Sequence, residues 1–259
     1  MSEHLSKAQI KWVRSLQQKK NRDAEGVFVA EGAKCVEELR GAFELILLVT
    51  PENASEMEIA QMSNLRTPQG VIGVFRREVR GERREARGER REARGERREA
   101  EGERREAGVY LALDGVQDPG NLGTIIRTCD WFGVHDIYCS KDTADCYNPK
   151  VVQATMGALA RVRVHYIDLA MWLQEVREAG VNVYGTLLEG GNMYEKGAIV
   201  DKSTGVIIMG NEGNGISPAV RQLITHPIRI PSYPADAETS ESLNVGIATA
   251  IVLAEFRRG

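Results

Sequence analysis

Leu5, Ala8, Trp12, Val13 and Leu16 recur at helical spacing and predict an amphipathic first helix. The runs VFVAEG (27–32) and ELILLVT (44–50) predict strands, with a helix AKCVEELRG (33–41) between them. An acidic helix near 54–63 and a GVIGVF strand (70–75) complete a small α/β unit of about 75 residues. From residue 109 onward the alternation is more regular. Strands are predicted at 109–113, 136–139, 161–166, 181–188, 205–210 and 226–230, and helices at 120–133, 149–159, 168–179, 217–225 and 240–257. Apolar strands alternating with helices imply a mostly parallel α/β sheet covered on both faces. In such sheets the ligand site lies in loops beyond the strand C-termini.

Between these two patterned regions the hydrophobic signal vanishes. Residues 76–107 hold thirteen Arg and ten Glu, a net +3, with a seven-residue unit GERREAR at 81–87 and 88–94 that decays over the next two copies. Seven is the heptad period, yet a coiled coil needs two apolar positions per heptad, and here one Ala and a helix-opposing Gly occupy each unit. The segment cannot bury a core and is read as a solvated linker. The expected organisation is a small domain at 1–75, a repeat linker at 76–108 and a larger domain at 109–259.

Composition narrows the function. The chain has 259 residues, 42% hydrophobic and 27% charged, which is ordinary for a globular protein. No apolar run reaches the ~18 residues needed for a membrane span, and the start MSEHLSKAQIKW lacks a secretory signal, so a cytoplasmic protein is expected. Cys35, Cys129, Cys139 and Cys146, with His4, His135, His165 and His226, show no metal-ligand spacing; no metal site and no disulfide framework are expected. Net charge is −3, and −6 once the repeat is set aside. Against that acidity, Lys7, Lys11, Arg14, Lys19, Lys20 and Arg22 form a run without an acidic residue. This is either a solvated helix face or a phosphate-binding stripe.

Three loops carry candidate chemistry. In LDGVQDPGNLGTIIRTCDWFG (113–133) a strand ends, a Pro–Gly turn follows and a helix begins. Asn121 sits where its side chain caps that helix or points into the crevice. Arg127 is suited equally to a surface ion pair and to gripping a phosphate with its planar fork. In GVIIMGNEGNGISPAVRQLI (205–224) the glycine spacing is G-x-x-G-x-G, neither the dinucleotide fingerprint nor a phosphate loop ending in G-K-[ST]. Without that lysine an NTPase is disfavoured, and Glu212 would repel a pyrophosphate; the loop is a tight turn or a close approach to a cationic or hydroxyl-rich ligand. In IRIPSYPADAETSESLNVGIATAIVLAEFRR (228–258), Ser240 is expected to cap the last helix, with Ser242 and Asn244 in its first turn. That helix is apolar on nearly every side, hence buried or shared with another subunit.

In this order, DPGNLGTIIRTCDWFG, IIMGNEGNG and IPSYPADAETSESLNV resemble the three motifs of the SpoU/TrmH family of SPOUT methyltransferases. The likeness runs from Val109 to Arg258. KWVRSLQQKKNRDAEGVFVAEGAKCVEE is similar to the RNA-binding substrate domain that precedes the catalytic domain in many members. The resemblance implies a parallel α/β SPOUT domain with a C-terminal trefoil knot, which sequence pattern alone does not reveal. It implies methylation of a ribose 2′-hydroxyl in structured RNA with S-adenosylmethionine, and a homodimer joined through the knot region and the last helix. Ribosomal RNA is preferred to transfer RNA on the strength of the N-terminal domain. The alternatives are a non-catalytic RNA-binding protein on the same fold, a transfer-RNA 2′-O-methyltransferase, and a SPOUT enzyme that methylates a base nitrogen.

By the same resemblance Asn121, Arg127, Glu212, Ser242 and Asn244 are the expected catalytic residues. Leu188, Gly210, Asn211, Gly213, Ile230, Leu243 and Asn244 are the expected cofactor-binding residues. A guanidinium stays protonated in proteins, so Arg127 is read as a phosphate clamp that also stabilises the developing oxyanion. Glu212 meets the cationic side of the cofactor or holds its loop. Two departures stand out: Gly246 replaces the serine that often follows S-L-N-V, and the stretch from Ser232 to Glu241 is long and acidic.

Overall fold

The computed structural model describes residues 4–77, 108–234 and 242–258, and the chain divides into two units, 1–107 and 108–259. Most of the Arg/Glu repeat, at 78–107, lies outside the described residues, as do residues 235–241 with Ser240.

In the first unit, Ser6 caps α1 (Lys7–Ser15) through a reciprocal box with Gln9, so Leu5 packs just ahead of the helix. A second helix, α2 (Lys19–Glu25), is not legible in the sequence because its seven residues, KKNRDAE, carry no apolar periodicity. It ends at Gly26, whose φ of 64° is the left-handed conformation of a helix stop. Then follow β1 (Val27–Glu31), α3 (Ala33–Arg40), β2 (Leu45–Val49), α4 (Glu56–Met62) and β3 (Ile72–Arg76). The sheet is antiparallel with order β1-β3-β2. One of its faces packs Val27, Val29, Ile72 and Val74 against Ile10, Val13, Ile59 and Met62 of α1 and α4. Phe28 on the other face stacks on Phe75 with ring centroids 5.5 Å apart. Arg76 belongs to β3 and pairs with Glu44, so the strand runs one residue into the stretch read as linker.

One basic residue leaves the stripe. Arg22 is 2% exposed, and its guanidinium donates to the carbonyls of Leu16 (3.0 Å) and Gln17 (2.8 Å), which ties α1 to α2. Its charge therefore does not face solvent, because the tight α1–α2 turn leaves carbonyls that need donors. Lys19 bonds Asp23 at 2.7 Å. Lys7, Lys11, Arg14 and Lys20 remain exposed and make no ion pair with the described residues.

The second unit is a six-stranded, wholly parallel sheet. Its elements are β4 (Val109–Asp114), α5 (Pro119–Trp131), β5 (Asp136–Cys139), α6 (Pro149–Thr155), β6 (Arg163–Tyr166), α7 (Leu169–Glu178), β7 (Val183–Asn192), β8 (Gly205–Gly210), α8 (Pro218–Arg221), β9 (His226–Arg229) and α9 (Val245–Arg257). The strand order is β6-β5-β4-β8-β7-β9. Helices α7 and α8 cover one face over Ala112, Val183, Val206 and Ile208. By strand alternation Leu111, Leu113, Ile207 and Met209 turn to the other face, where α5 packs against α6 and α9.

Four elements have bounds that differ from the sequence expectation. Helix α6 stops at Thr155, because Met156 adopts φ 52° and a short 3-10 turn follows at Ala158–Ala160. Helix α8 is a single turn, and β7 runs on to Asn192. Helix α9 starts at Val245, not at 240: Asn244 is its cap, with Oδ1 accepting from the amides of Gly246 (3.0 Å) and Ile247 (3.2 Å). Ser242 and Asn244 thus precede the first turn instead of lying in it, because an Asn at this position satisfies two amides that would otherwise lack partners.

Candidate active site

All six strands point the same way, so the loops after β4, β5, β7, β8 and β9 emerge on one side of the sheet. The first of them begins at buried Asp114, whose Oδ2 accepts from the amide of Ser217 at 2.7 Å, tying the start of α8 to the end of β4. Gly115 follows with φ 74°. Asp118, not Asn121, caps α5: its Oδ1 accepts from the Asn121 amide at 2.8 Å. The Asn121 side chain is thereby free to point across the crevice.

There it meets the other two loops. Asn121 Nδ2 donates to Glu212 Oε1 at 2.9 Å, and Asn244 Nδ2 donates to Asn121 Oδ1 at 2.8 Å. These two bonds join residues 91 and 123 positions apart, linking the β4–α5 loop, the β8 loop and the cap of α9 in one relay. Each side-chain amide is used at both ends, nitrogen as donor and oxygen as acceptor. Asn244 caps with its oxygen and donates with its nitrogen, and Asn121 accepts from Asn244 and donates to a carboxylate.

The glycine-rich turn after β8 is built for close approach. A Cβ on Gly210 would lie 2.4 Å from the Gly215 carbonyl carbon and 2.5 Å from the Ile216 nitrogen, so only glycine fits. Asn211 spends its whole side chain on this turn: Nδ2 donates to the Gly115 carbonyl at 2.7 Å, while Oδ1 accepts from the amides of Gly213 and Asn214, both at 2.9 Å. Asn211 is therefore a brace, and its backbone closes the same turn by exchanging both hydrogen bonds with Gly215, at 2.9 and 3.0 Å.

Arg127 lies six residues after Asn121 on α5, exposed, and makes no hydrogen bond or ion pair with the described residues. Ser242 is likewise exposed without such a bond. The relay does not extend to three apolar residues. Leu188 is 67% exposed, in the stretch of β7 that leaves the β9 ladder between Thr186 and Gly191. Leu243 is 48% exposed ahead of α9, and Ile230, after β9, is half-buried.

Cys129, two residues past Arg127, is no nucleophile: burial, with the charge of Asp130, pushes its thiol far above the ordinary range. Burial acts in the same direction on Cys139. All four cysteines are free, and among the described residues no cluster of His, Cys, Asp or Glu could hold a metal ion. No described helix is long and apolar enough to cross a membrane.

Sequence reasoning missed the loop after β5. Ser140 Oγ accepts from the Gly115 amide at 2.8 Å, and Thr143 Oγ1 donates to the Leu113 carbonyl at 3.3 Å. This loop braces the first. Its only signal is the polar SKDT run directly after a predicted strand.

Residues 108–254 match the SpoU rRNA methylase family, and residues 7–58 match the MRM3-like substrate binding domain. A Bacillus subtilis 23S rRNA (guanosine(2553)-2′-O)-methyltransferase, RlmP, is 36% identical over 147 residues, 57% of this chain and 57% of that protein. The chain thus aligns with little more than half the length of this curated relative. A TrmH-family protein from Porphyromonas gingivalis superposes with a TM-score of 0.79 at 36% identity over 98% of both chains. An AdoMet-bound rRNA methyltransferase from Sinorhizobium meliloti gives 0.78 at 30% identity, covering 99% of this chain and 96% of the other. With the three loops, the parallel sheet and a family match over more than half its length, this chain belongs to the SpoU rRNA methylase family.

Proposed function

We propose that this protein methylates a ribose 2′-hydroxyl in structured RNA, ribosomal rather than transfer RNA, using S-adenosylmethionine. The observation that carries the reading is the Asn244–Asn121–Glu212 relay, which ties three separate segments together around a crevice, while Arg127 on the same helix as Asn121 makes no ion pair with the described residues. An exposed cation on a helix beside a polar relay suits an anionic, hydroxyl-bearing substrate.

The residues present fit the cofactor. Leu188 and Leu243 keep apolar surface open to solvent, and with Ile230 they suit an adenine ring. The turn at Gly210 admits no side chain, so backbone can approach the ligand there, with Gly213 and the main chain of Asn211 alongside. When bound, the cofactor supplies an electrophilic methyl group on a sulfonium. The chain's own contribution is positioning. Arg127 grips the phosphate next to the target ribose and stabilises negative charge developing on the 2′-oxygen. Asn121 and Asn244 hold α5 and α9 in register for it, Glu212 anchors the relay, and Ser242 meets the ribose.

We take residues 1–75 as the RNA-recognition domain, 76–108 as a linker and 109–259 as the catalytic domain. Lys7, Lys11, Arg14 and Lys20, exposed and without an ion pair among the described residues, support phosphate contacts on the first unit. A homodimer through α9 is supported by Ile247, 55% exposed, and by exposed Ala254 and half-buried Ala248, Ala250 and Ile251 along the same apolar helix. The return of α9 from edge strand β9 to pack on α5 supports a trefoil knot in this segment. Four free cysteines suit the reducing cytoplasm.

The test is methyl transfer to RNA from cells lacking the protein, followed by alkaline hydrolysis. Label in alkali-resistant dinucleotides is expected. Label in single nucleotides would mean base methylation, and RNA binding without any label would mean a non-catalytic binder.

A further inference from the structure

Between Asn121 and Arg127 on α5, three residues from each, stands Thr124. At that spacing the three side chains lie along one face of the helix. Thr124 is exposed, and its hydroxyl makes no hydrogen bond with the described residues, although its carbonyl accepts from Thr128 Oγ1 at 2.8 Å. Its methyl is committed. A Cβ built on Gly246 would come within 3.3 Å of Thr124 Cγ2 and 3.5 Å of its Cβ, so the methyl packs against the first turn of α9 beside the Asn244 cap. The hydroxyl is the other branch at Cβ, and no described residue satisfies it.

The Thr124 side chain thus has two ends with two duties. Gly246 is the reason both fit, since a side chain there would crowd the methyl and turn the threonine. Resting on the function proposed above, we propose that the Thr124 hydroxyl donates a hydrogen bond to the RNA phosphate gripped by Arg127. A hydroxyl one turn from a guanidinium adds direction to a point of charge, and threonine side chains commonly make such backbone contacts to nucleic acid. An anionic oxygen is the ligand. The RNA is its source, rather than the carboxylate of the cofactor, because Thr124 stands one helical turn from Arg127, the group assigned to the RNA phosphate.

The two ends can be separated by substitution. Thr124→Val keeps the shape and the methyl contact and removes the hydroxyl; Thr124→Ser keeps the hydroxyl and removes the methyl. In the full-length protein, Thr124→Val is expected to lower kcat/KM for RNA about ten-fold, the worth of one hydrogen bond to a charged group. Thr124→Ser is expected to stay within about two-fold, with cofactor Kd and Tm unchanged in the Val variant. Three results would overturn the assignment: an unimpaired Val with an impaired Ser, which is packing alone; two variants that both match wild type; or a loss that appears in cofactor Kd. Filter-binding affinity for RNA separates this inference from the parent reading. If wild type proves inactive as a methyltransferase, the Val-specific loss of RNA affinity is still expected, and equal affinities would refute it.

Discussion

Asn121→Asp reverses one end of the relay and leaves the other intact. The new carboxylate still accepts from Asn244 Nδ2, now 2.8 Å from Oδ1, but it faces Glu212 Oε1 across the 2.9 Å that a donor spanned. Two unit charges at about 2.9 Å repel by about 1.4 kcal/mol in a water-like dielectric. Both groups reach solvent, so they swing apart, and the net cost is about 1–2 kcal/mol including the lost bond. For a unit of this size that lowers Tm by about 2–8 °C. Tryptophan fluorescence of the full chain reports it, since Trp131 and Trp172 lie in the second unit. The effect has a sign in pH. Glu212 raises the affinity of the introduced carboxylate for a proton in the folded state, so the deficit is full above that raised pKa and shrinks as pH falls through it. Adding Glu212→Gln restores a donor, now pointing from residue 212 to residue 121, and recovers stability to within about 0.5 kcal/mol. A single variant as stable as wild type at neutral pH, or a swap that recovers nothing, would refute the relay.

Gly210→Ala drives a methyl into the Gly215–Ile216 backbone and is expected to cost about 2–3 kcal/mol and to weaken cofactor binding. Gly215→Ala is the control in calorimetry: open space surrounds its Cβ, and only the φ of 67° opposes it, at about 1–2 kcal/mol. In the first unit, burial raises the pKa of Asp23, but hydrogen bonds from Lys19 and Arg77 outweigh it and hold the carboxyl below its usual range. Asp23→Asn is therefore expected to cost about 0.5–1 kcal/mol at neutral pH, a difference that disappears as pH falls through the depressed folded pKa. Urea melts at two pH values check it, and a cost that grows in acid would contradict the pairing.

How much of this can be read from the chain depends on the kind of signal. Long apolar runs such as GVIIMG and VYLAL mark the parallel strands, because a strand buried on both faces leaves little choice of residue. Helix α2 is hidden because its stability comes from Arg22 reaching back to the Leu16 and Gln17 carbonyls, a tertiary tie with no periodicity. The sequence starts α9 five residues early because Ser240 and Asn244 are both good caps, and only the amides of Gly246 and Ile247 distinguish them. At the site, motif order names Asn121, Glu212 and Asn244, but not that one amide joins the other two. Asn211 reads in sequence as a cofactor contact and serves as a brace, since the same residue type suits either duty. Thr124 carries no signal at all. Its interest comes from what neighbours its methyl and what leaves its hydroxyl alone.

On the proposed function, Arg127 of α5, which makes no ion pair with the described residues, serves ribose methylation. Labelled S-adenosylmethionine with RNA from cells lacking the protein, read as alkali-resistant dinucleotides, tests it with wild type beside Arg127→Ala. Arg127 has no bond to lose among the described residues, so the variant is expected to fold with stability within about 0.5 kcal/mol of wild type. Its label in ribosomal RNA is expected to fall about 10²–10³-fold, the worth of one electrostatic stabiliser at a reacting oxygen. A folded Arg127→Ala protein that methylates ribose at the wild-type rate would contradict the account.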